Sequence, residues 1–347
     1  MALIDKLTNI ANAIRSKTGG TEPLTLDGMA EAINGISGGG GFPNGTKWTQ
    51  SNITDVKIND IKYANGHWIA CGIGGLYHST NGKTWELCSL STQESYKAHY
   101  ANNTWVVVTH EGVYKSNDID TWSDIDKNNI INAKANVSEI YYACGLWAIC
   151  ELNTLYISTD LDTWTPISVK FKRVLYANGI WVGVGNDIYT SANGTTWNKV
   201  FEAGLYTPEA LVYANNLFVT GDGGTICYSS DGTTWSTATV SKSIKDIRYG
   251  NGVWVASYMG VYYSLDGKVW TEATGTSDML MWGLAYSNGL WVLAGNEKAY
   301  YSIDGKVWQV SGTPNAYWRY ITDANGIRVA GAYPFEQGLI YSVTWEA

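Results

Sequence analysis

A phrase of about ten residues recurs eight times along this chain and constrains its fold more than any other feature. In the first copy, residues 61–70, an apolar strand runs into Asn65-Gly66 and continues as a second apolar strand. Asn-Gly between alternating apolar positions predicts a hairpin, because both residues tolerate the positive φ of a tight primed turn. An internal repeat of this kind determines the architecture. The eight turns lie at residues 65–66, 102–103, 144–145, 178–179, 215–216, 251–252, 288–289 and 325–326.

A second hairpin follows each of the first seven and carries the pattern Ser-x-Asp-x-Gly-x-x-Trp or the shorter Ser-x-Asp-Gly-x-Thr-Trp. The Asp or Asn side chain can bond the backbone of its own turn, and Gly supplies positive φ. The tryptophan that follows can anchor the hairpin in a core. The seven copies span residues 79–85, 116–122, 158–164, 191–197, 229–235, 264–270 and 302–308.

This pattern resembles the Asp-box (BNR) repeat of sialidases and of many non-enzymatic β-propellers, over nearly all of residues 42–347. Four strands per unit, eight units and no helix between them predict an all-β, eight-bladed β-propeller of four-stranded Asp-box blades. The last box shrinks to residues 342–345, while residues 44–48 form a box with no preceding strands. The sequence therefore predicts that residues 48–51 supply the outer strand of the last blade and close the ring.

Residues 1–37 differ from the repeats and predict a short helical hairpin, followed by a glycine linker at 38–41 and the propeller at 42–347. They resemble N-terminal segments of tail and other virion proteins from phages and prophages of Gram-positive bacteria. The resemblance implies that they anchor the chain to other virion proteins. We therefore expect a virion protein that is assembled in the host cytoplasm and exposed outside the cell after release. The predicted anchoring residues are Leu3, Ile4, Leu7, Ile10, Ile14, Met29 and Ile33.

Composition excludes several classes of protein. With 45% hydrophobic and 13% aromatic residues the chain is not disordered, and no apolar run is long enough to insert into a membrane. A net charge of −8 without a basic block disfavours nucleic acid. The five cysteines include no Cys-x-x-Cys pair, so we expect buried free thiols rather than disulfides or zinc. The acidic loops at 118–120 and 160–162 lack the spacing of calcium ligands, and we expect no metal and no cofactor.

Tryptophan is abundant, with 17 copies, but fifteen of them occupy repeat positions. The remaining two, Trp282 and Trp318, lie on the face of variable loops opposite the Asn-Gly and Asp-box turns. Aromatic rings flanked by polar groups suit sugars, which present C–H faces and hydroxyl edges. The alternative is that these rings only fill the seam between the last blades. The predicted carbohydrate site comprises Trp282, Trp318, Tyr317, Arg319, Tyr320, Tyr333, Phe335 and Glu336.

Sialidase activity is not expected. The resemblance implies three arginines on the substrate carboxylate, a tyrosine nucleophile paired with a glutamate, an aspartate acid/base and an Arg-Ile-Pro triplet. The triplet is absent, and the propeller has only Arg173, Arg248, Arg319 and Arg328, the last in place of a strand tryptophan. We name no catalytic residue and predict a non-enzymatic phage tail-fibre or receptor-binding protein for bacterial surface carbohydrate, with homo-oligomerisation open. The alternatives are a decoration protein of the phage head or tail and a sialidase-like glycoside hydrolase.

Overall fold

The computed structural model describes the repeat region of the chain. The described residues are 49–54, 56–90, 92–128, 130–131, 134–276, 280–296, 298–311, 318–324, 327–332 and 339–344. The predicted helical hairpin at 1–37, its anchoring residues and the glycine linker at 38–41 lie outside them.

The first part of the described chain forms antiparallel strands that alternate with tight turns. Strand β1 joins a sheet at the far end of the chain, and the next sixteen strands form four sheets of four strands, each in chain order. The strands are β1 (Thr49–Thr54), β2 (Ile58–Ala64), β3 (His67–Gly72), β4 (Gly75–Ser79), β5 (Glu86–Leu87), β6 (Ser95–Ala101), β7 (Thr104–Thr109), β8 (Val113–Ser116), β9 (Ser123–Asp124), β10 (Val137–Ala143), β11 (Leu146–Glu151), β12 (Thr154–Ser158), β13 (Thr165–Ile167), β14 (Arg173–Ala177), β15 (Ile180–Val184), β16 (Ile188–Ser191) and β17 (Asn198–Phe201). Helix within the described residues is limited to one 3-10 turn, Lys134–Asn136.

The second part forms three more sheets, in the orders β18 to β23, β24 to β27, and β28-β29-β30-β1. The closing strand is therefore confirmed: Thr49 and Gln50 of β1 pair with Ser342 and Tyr341 of β30. The strands are β18 (Ala210–Ala214), β19 (Leu217–Ser229), β20 (Ser236–Gly250), β21 (Val253–Tyr258), β22 (Val261–Ser264), β23 (Thr271–Glu272), β24 (Met281–Ser287), β25 (Leu290–Gly295), β26 (Ala299–Ser302), β27 (Gln309–Val310), β28 (Trp318–Ala324), β29 (Ile327–Ala332) and β30 (Leu339–Thr344).

The prediction of eight separate four-stranded blades is wrong in that form, because six sheets have four strands and one has six. The six-stranded sheet arises where two long strands run through positions at which other repeats turn. The first half of β20 pairs with β19, through Ala238 and Ile226 among others, and its second half pairs with β21 from Ile244 onward. The strands of two consecutive repeats thereby become continuous.

The first strand of each repeat unit lies next to the first strand of the following unit. The order of these contacts is β2, β6, β10, β14, β18, β20, β24 and β28, and β28 contacts β2 again. The sheets therefore follow one another around a common axis. We call these eight segments the first strands. In β20, only the second half, which pairs with β21, is a first strand. Apolar clusters lie between neighbouring sheets, such as the one that joins Val329 and Ile340 to Trp68 and Trp85.

Tryptophan plays the structural role that its repeat positions predict. The six strand tryptophans are buried and pack against neighbouring sheets. In six described repeats this ring contacts the tyrosine of the preceding strand, as Trp68 contacts Tyr63 at 4.9 Å between centroids. The buried strand tryptophans are Trp68, Trp105, Trp147, Trp181, Trp254 and Trp291.

The Asn-Gly turns have the predicted backbone. Asn65 and Gly66 have φ of 51° and 80°, and the equivalent pairs in the next six repeats also lie at positive φ. Cys144 occupies this position in the third repeat with φ 51° and is exposed, so the prediction of buried cysteines is wrong for this residue. The other four cysteines are buried free thiols, and burial raises the pKa of Cys88 and Cys227 to about 12.

Each Asp box is a compact turn held by its own side chains. In the box at 264–270, Ser264 Oγ accepts from the N–H of Gly267, and Asp266 Oδ1 accepts from Lys268 and Val269 at 2.8 and 2.9 Å. Trp270 Nε1 donates to the Gly267 carbonyl at 3.2 Å. The carboxylates therefore serve the turn backbone.

These turns should make the protein acid-sensitive. Backbone N–H donors hold the pKa of Asp118 at about 2 and lower those of Asp160, Asp231 and Asp266, and at Asp304 the same donors outweigh the opposing effect of burial. A carboxyl whose pKa is lower in the folded chain stabilises the fold above its unfolded pKa of about 4. This stabilisation is lost as the pH falls through the folded pKa. We expect the melting temperature to drop steeply between about pH 4 and pH 2.

A variant with Asn at all five positions provides the control. Asn81 and Asn193 already make the same turn bonds, so the substitutions preserve the hydrogen-bond acceptors. Thermal unfolding from pH 7 to pH 2 should show a shallower acid fall for this variant. Equal falls in both proteins would mean that other carboxylates cause the acid sensitivity.

Candidate functional site

A polar cavity lies along the axis, between the first strands. It has two lobes of about 190 and 180 Å³ that share Asp60, Lys62, Lys97, Arg173 and others as lining residues. We call the two lobes together the axial cavity. Its lining comes mainly from the first half and the middle of the first strands, away from the Asn-Gly turns. It therefore lies toward the side of the variable loops, where the sequence predicts ligand binding.

A β-bulge recurs in six of the first strands at the level of this cavity. The register shifts between Ile58 and Asp60 in β2, and at the equivalent step in β6, β10, β20, β24 and β28. A bulge leaves one residue unpaired and changes the direction of its side chain. Lys245 and Trp282 occupy this position in β20 and β24.

The cavity lining is strongly charged and mostly ion-paired. Its described part contains five cationic residues, Lys62, Lys97, Arg173, Lys245 and Arg248, and four acidic residues, Asp60, Glu139, Glu209 and Asp246. The paired N–O distances are 3.6 Å for Lys62–Asp60, 3.3 Å for Arg173–Glu139, 3.1 Å for Lys245–Glu209 and 3.4 Å for Arg248–Asp246.

Arg173 ties three neighbouring first strands together. Its Nη1 donates to the Ser138 carbonyl in β10 at 2.6 Å, and its Nε donates to the Glu209 carbonyl just before β18 at 2.8 Å. A planar guanidinium suits this bridging role better than an ammonium group. Arg173 therefore uses both its Nε and its Nη1 to bind backbone carbonyls of the protein itself.

Two equivalent aspartates also join neighbouring sheets but titrate differently. Asp60 Oδ2 accepts from Ala98 N–H at 3.2 Å, and Asp246 Oδ2 accepts from Leu284 N–H at 3.1 Å. Burial opposes the ionisation of Asp60, but Lys62, Lys97 and the Ala98 N–H outweigh it and lower its pKa. Burial raises the pKa of Asp246, where Arg248 and the Leu284 N–H offset it only in part. Asp246 therefore holds its negative charge less strongly than Asp60 does.

Trp282 lies on the cavity wall in a defined environment. Its ring meets Tyr258 edge to face, with 4.8 Å between centroids, and its Nε1 donates to Asn296 Oδ1 at 3.1 Å. Lys245 Nζ lies 5.6 Å from the Trp282 ring centroid and 4.9 Å from that of Tyr258. The indole is half-buried and positioned on three sides. A ring held in this way can accept a ligand without first losing side-chain entropy.

The structure brings two of the predicted site residues together, because Tyr320 lines the same lobe as Trp282. Lys97 Nζ lies 6.0 Å from the Tyr320 ring centroid. The backbone of Trp318 and Arg319 lies in β28, and Trp318 is paired with Ala332. The side chains of these two residues, and Tyr317, Tyr333, Phe335 and Glu336, lie outside the described part of the structure.

The cationic part of the cavity was not predicted from the sequence, although the repeats contain the signal. The residue before the central apolar position of each first strand is Asp60, Lys97, Glu139, Arg173 and Asp246 in five of the eight repeats. Charged residues at one equivalent position of several strands that are otherwise buried indicate side chains that face a common polar space. A second unpredicted residue is Tyr206, which is 86% exposed in the loop between β17 and β18.

Metal and membrane features can be assessed for the described residues only. Among them, no group of three or more His, Cys, Asp or Glu side chains is placed to hold a metal ion. Within the same residues, no helix is long and apolar enough to cross a membrane.

Comparison with known proteins supports the architecture. No protein-family model matches the chain, and no curated protein matches it. Among solved structures, the computationally designed Ika8 protein aligns with a TM-score of 0.66 at 13% identity, over 87% of this chain and 100% of the other. The chain is a β-propeller.

Two further solved structures give similar superpositions. The C-terminal WD40 domain of Sif2 has a TM-score of 0.63 at 11% identity and covers 86% of this chain and 99% of its own. A catalytically inactive virginiamycin B lyase from Staphylococcus aureus, solved with quinupristin, has a TM-score of 0.56 at 10% identity, over 86% and 99%. At these identities the similarity concerns the fold alone, since one fold hosts many functions.

Proposed function

We propose that this propeller is a non-enzymatic phage virion appendage protein, of tail-fibre or receptor-binding type, that binds host surface carbohydrate at the axial cavity. The observation that carries the proposal is the position of Trp282, an indole held by Tyr258 and Asn296 on the wall of a polar cavity. An aromatic face beside hydrogen-bonding groups matches the apolar face and hydroxyl edge of a sugar ring. Tyr320 on the same lobe offers a second ring.

The proposal extends to the N-terminal segment and to the number of blades. Residues 1–37 resemble anchoring segments of phage and prophage virion proteins, and the glycine linker at 38–41 would separate such an anchor from the propeller. We also count the six-stranded sheet as two blades, which makes a ring of eight. Support comes from the eight first strands around the axis and from β20, whose two halves pair with different neighbours.

Binding rather than catalysis is favoured by the state of the acids that line the cavity. Each of the four is within 3.6 Å of a cationic nitrogen, and two also accept backbone hydrogen bonds. These contacts favour the ionised form of Asp60, which is therefore a poor general acid, but they offset the effect of burial on the pKa of Asp246 only in part. Turnover of a fluorogenic sialoside by the purified protein would contradict this part of the proposal.

The test compares binding to host cells and to a glycan panel for the wild type and its variants. We expect Trp282→Ala to weaken binding roughly tenfold, because an aromatic contact contributes about 0.5–1.5 kcal/mol beyond the area that it buries. Tyr206→Ala is the matched control, since this exposed aromatic lies on the same side but does not line the cavity. Trp318→Ala tests the second predicted tryptophan. Unchanged binding in both tryptophan variants would refute the site.

One observation favours a structural decoration role instead. Two neighbouring Asp boxes expose large apolar side chains, and the other five described boxes carry Thr, Asn, Ser or Ala at most of the same positions. Adjacent exposed apolar residues indicate a protein contact surface. Replacing all four residues with Thr should prevent incorporation into particles under this alternative while leaving glycan binding intact. The four residues are Leu265, Val269, Ile303 and Val307, which are 60%, 71%, 43% and 53% exposed.

A further inference from the structure

Among the described residues, the axial cavity carries one more cationic side chain than acidic side chains. Lys62, Arg173, Lys245 and Arg248 each have a carboxylate within 3.6 Å. Lys97 lines both lobes, and among the described residues no carboxylate lies within 4 Å of its ammonium group. The chain as a whole has a net charge of −8, so this local positive excess runs against the overall composition.

One position of the lining is charged in the first four repeats and uncharged in the last two. The position that holds Asp60, Lys97, Glu139 and Arg173 in the first four repeats holds Gly283 and Tyr320 in the last two. Trp282 lies next to Gly283 in the bulge of β24. The same lobe therefore presents aromatic rings from the last two repeats and Lys97 from the second repeat. A ligand that fills it meets an apolar face and a cation at once.

We propose that the carbohydrate bound by this cavity is anionic, and that Lys97 binds its carboxylate or phosphate group while Trp282 contacts the face of the sugar ring. This inference rests on the proposed carbohydrate function. A bound anion would balance the excess positive charge of the cavity. The interaction is stronger here than in bulk water, because partly enclosed charges are less screened.

Lys97 is suited to this role because the other cations already have partners. Arg173 donates to the carbonyls of Ser138 and Glu209, and Lys245 Nζ is 3.1 Å from Glu209 Oε1. Recruiting either residue would break bonds that link neighbouring first strands. The ammonium group of Lys97 has three donors, and its contact with the Tyr320 ring at 6.0 Å is long and weak. A ligand oxygen can therefore bind it at low cost.

The test uses three sugars that share a ring and differ at one carbon: glucose, glucuronate and glucose 6-phosphate. Binding to the full-length protein is measured by calorimetry and by the rise in melting temperature at constant ionic strength. We expect one or both anionic sugars to bind at least about tenfold more tightly than glucose, as a charge-assisted hydrogen bond would provide. Tighter binding of glucuronate would indicate a carboxylate ligand, and tighter binding of glucose 6-phosphate would indicate a phosphate ligand. No preference for either anionic sugar over glucose would overturn the inference.

Variants assign the preference to one residue. Lys97→Met should remove the preference for the anion, Lys97→Arg should retain it, and the exposed Lys83→Met should leave it unchanged with the same loss of charge. An unaltered preference in Lys97→Met would also overturn the inference, and the melting temperature of each free variant shows that it is folded.

The carbohydrate function can fail separately from the anion site. Inorganic phosphate serves as the probe without a ring. If it binds as tightly as glucose 6-phosphate, with no effect of Trp282→Ala, the anion site stands without a sugar site. If all three sugars bind equally and depend on Trp282, the carbohydrate site stands and the anion inference fails.

Discussion

Deletion of β1, residues 49–54, is expected to abolish cooperative folding of the propeller. This strand pairs with β30, and its Ile53 side chain is buried in the cluster between the last and first sheets. Without β1, the edge of β30 is exposed and that cluster opens. Circular dichroism should show a loss of the thermal transition or a fall of more than about 15 °C in its midpoint, since 1 kcal/mol corresponds to only a few degrees.

A point substitution tests the same closure without removing the strand. The Asn52 amide accepts from the Trp85 N–H and donates to the Trp85 carbonyl, both at 2.8 Å, and so joins β1 to the Asp box of the first sheet. Asn52→Ala leaves both backbone groups without these bonds and should cost about 1–3 kcal/mol. Asn52→Asp keeps the acceptor but places a second oxygen against the Trp85 carbonyl, so it should destabilise the fold as well. The deletions provide the decisive outcome. If removal of β1 or of residues 41–52 left the melting temperature unchanged, β1 would not close the ring by pairing with β30.

The sequence predicts the repeated elements well because each turn has a local chemical cause. Asn-Gly pairs take positive φ, and the box Ser and Asp bind their own backbone, so both hairpins can be identified from a few residues. The closing strand was predictable because an isolated box at 44–48 needs strands from elsewhere. The bond between Asn52 and Trp85 was not predictable, because nothing local couples residues 33 positions apart.

The continuity of β20, which joins two repeats into one sheet, has a local cause in the sequence. Residues 236–250 contain no Gly, Pro or Asn before the final Gly250, so no turn residue interrupts β20 where one repeat ends and the next begins. The repeat count predicted a break there because other repeats have one. Local composition overrode the periodic pattern at this point.

The candidate site was predicted in part. Trp282 stands out in the sequence because it lies outside the repeat pattern, and the structure places it beside the axial cavity. Lys97 and Arg173 do not stand out in the sequence, because they lie inside the repeat pattern at a position that varies between copies. Which cations keep free donors depends on ion pairs between strands 34 or more residues apart, such as Arg173–Glu139 and Lys245–Glu209. Spacing along one strand cannot reveal such pairs.

A buried ion pair in the last sheet replaces the ring pair of the other repeats, and breaking it is expected to be strongly destabilising. Asp323 and Arg328 lie opposite each other in β28 and β29, as Tyr63 and Trp68 do in the first sheet. Arg328 Nε and Nη2 donate to the two Asp323 carboxylate oxygens, each at 2.6 Å, and Arg328 is 1% exposed. Asp323→Ala leaves the guanidinium without its carboxylate and should cost about 3–5 kcal/mol.

The double variant Asp323→Tyr with Arg328→Trp restores the pair used elsewhere in the ring, and it should recover this loss. Replacement of a buried ion pair by apolar groups of similar volume is often neutral or stabilising, by about 1–4 kcal/mol. Six described repeats already hold the Tyr–Trp pair between equivalent strands, at 4.7–5.5 Å between centroids, so the geometry of the sheet accommodates it. Urea unfolding of the wild type, of the single variants Asp323→Tyr and Arg328→Trp, and of the double variant gives the coupling energy between the two positions. If Asp323→Ala cost less than about 1 kcal/mol, or if the double variant were no more stable than either single variant, the pair would not be the element that replaces the rings.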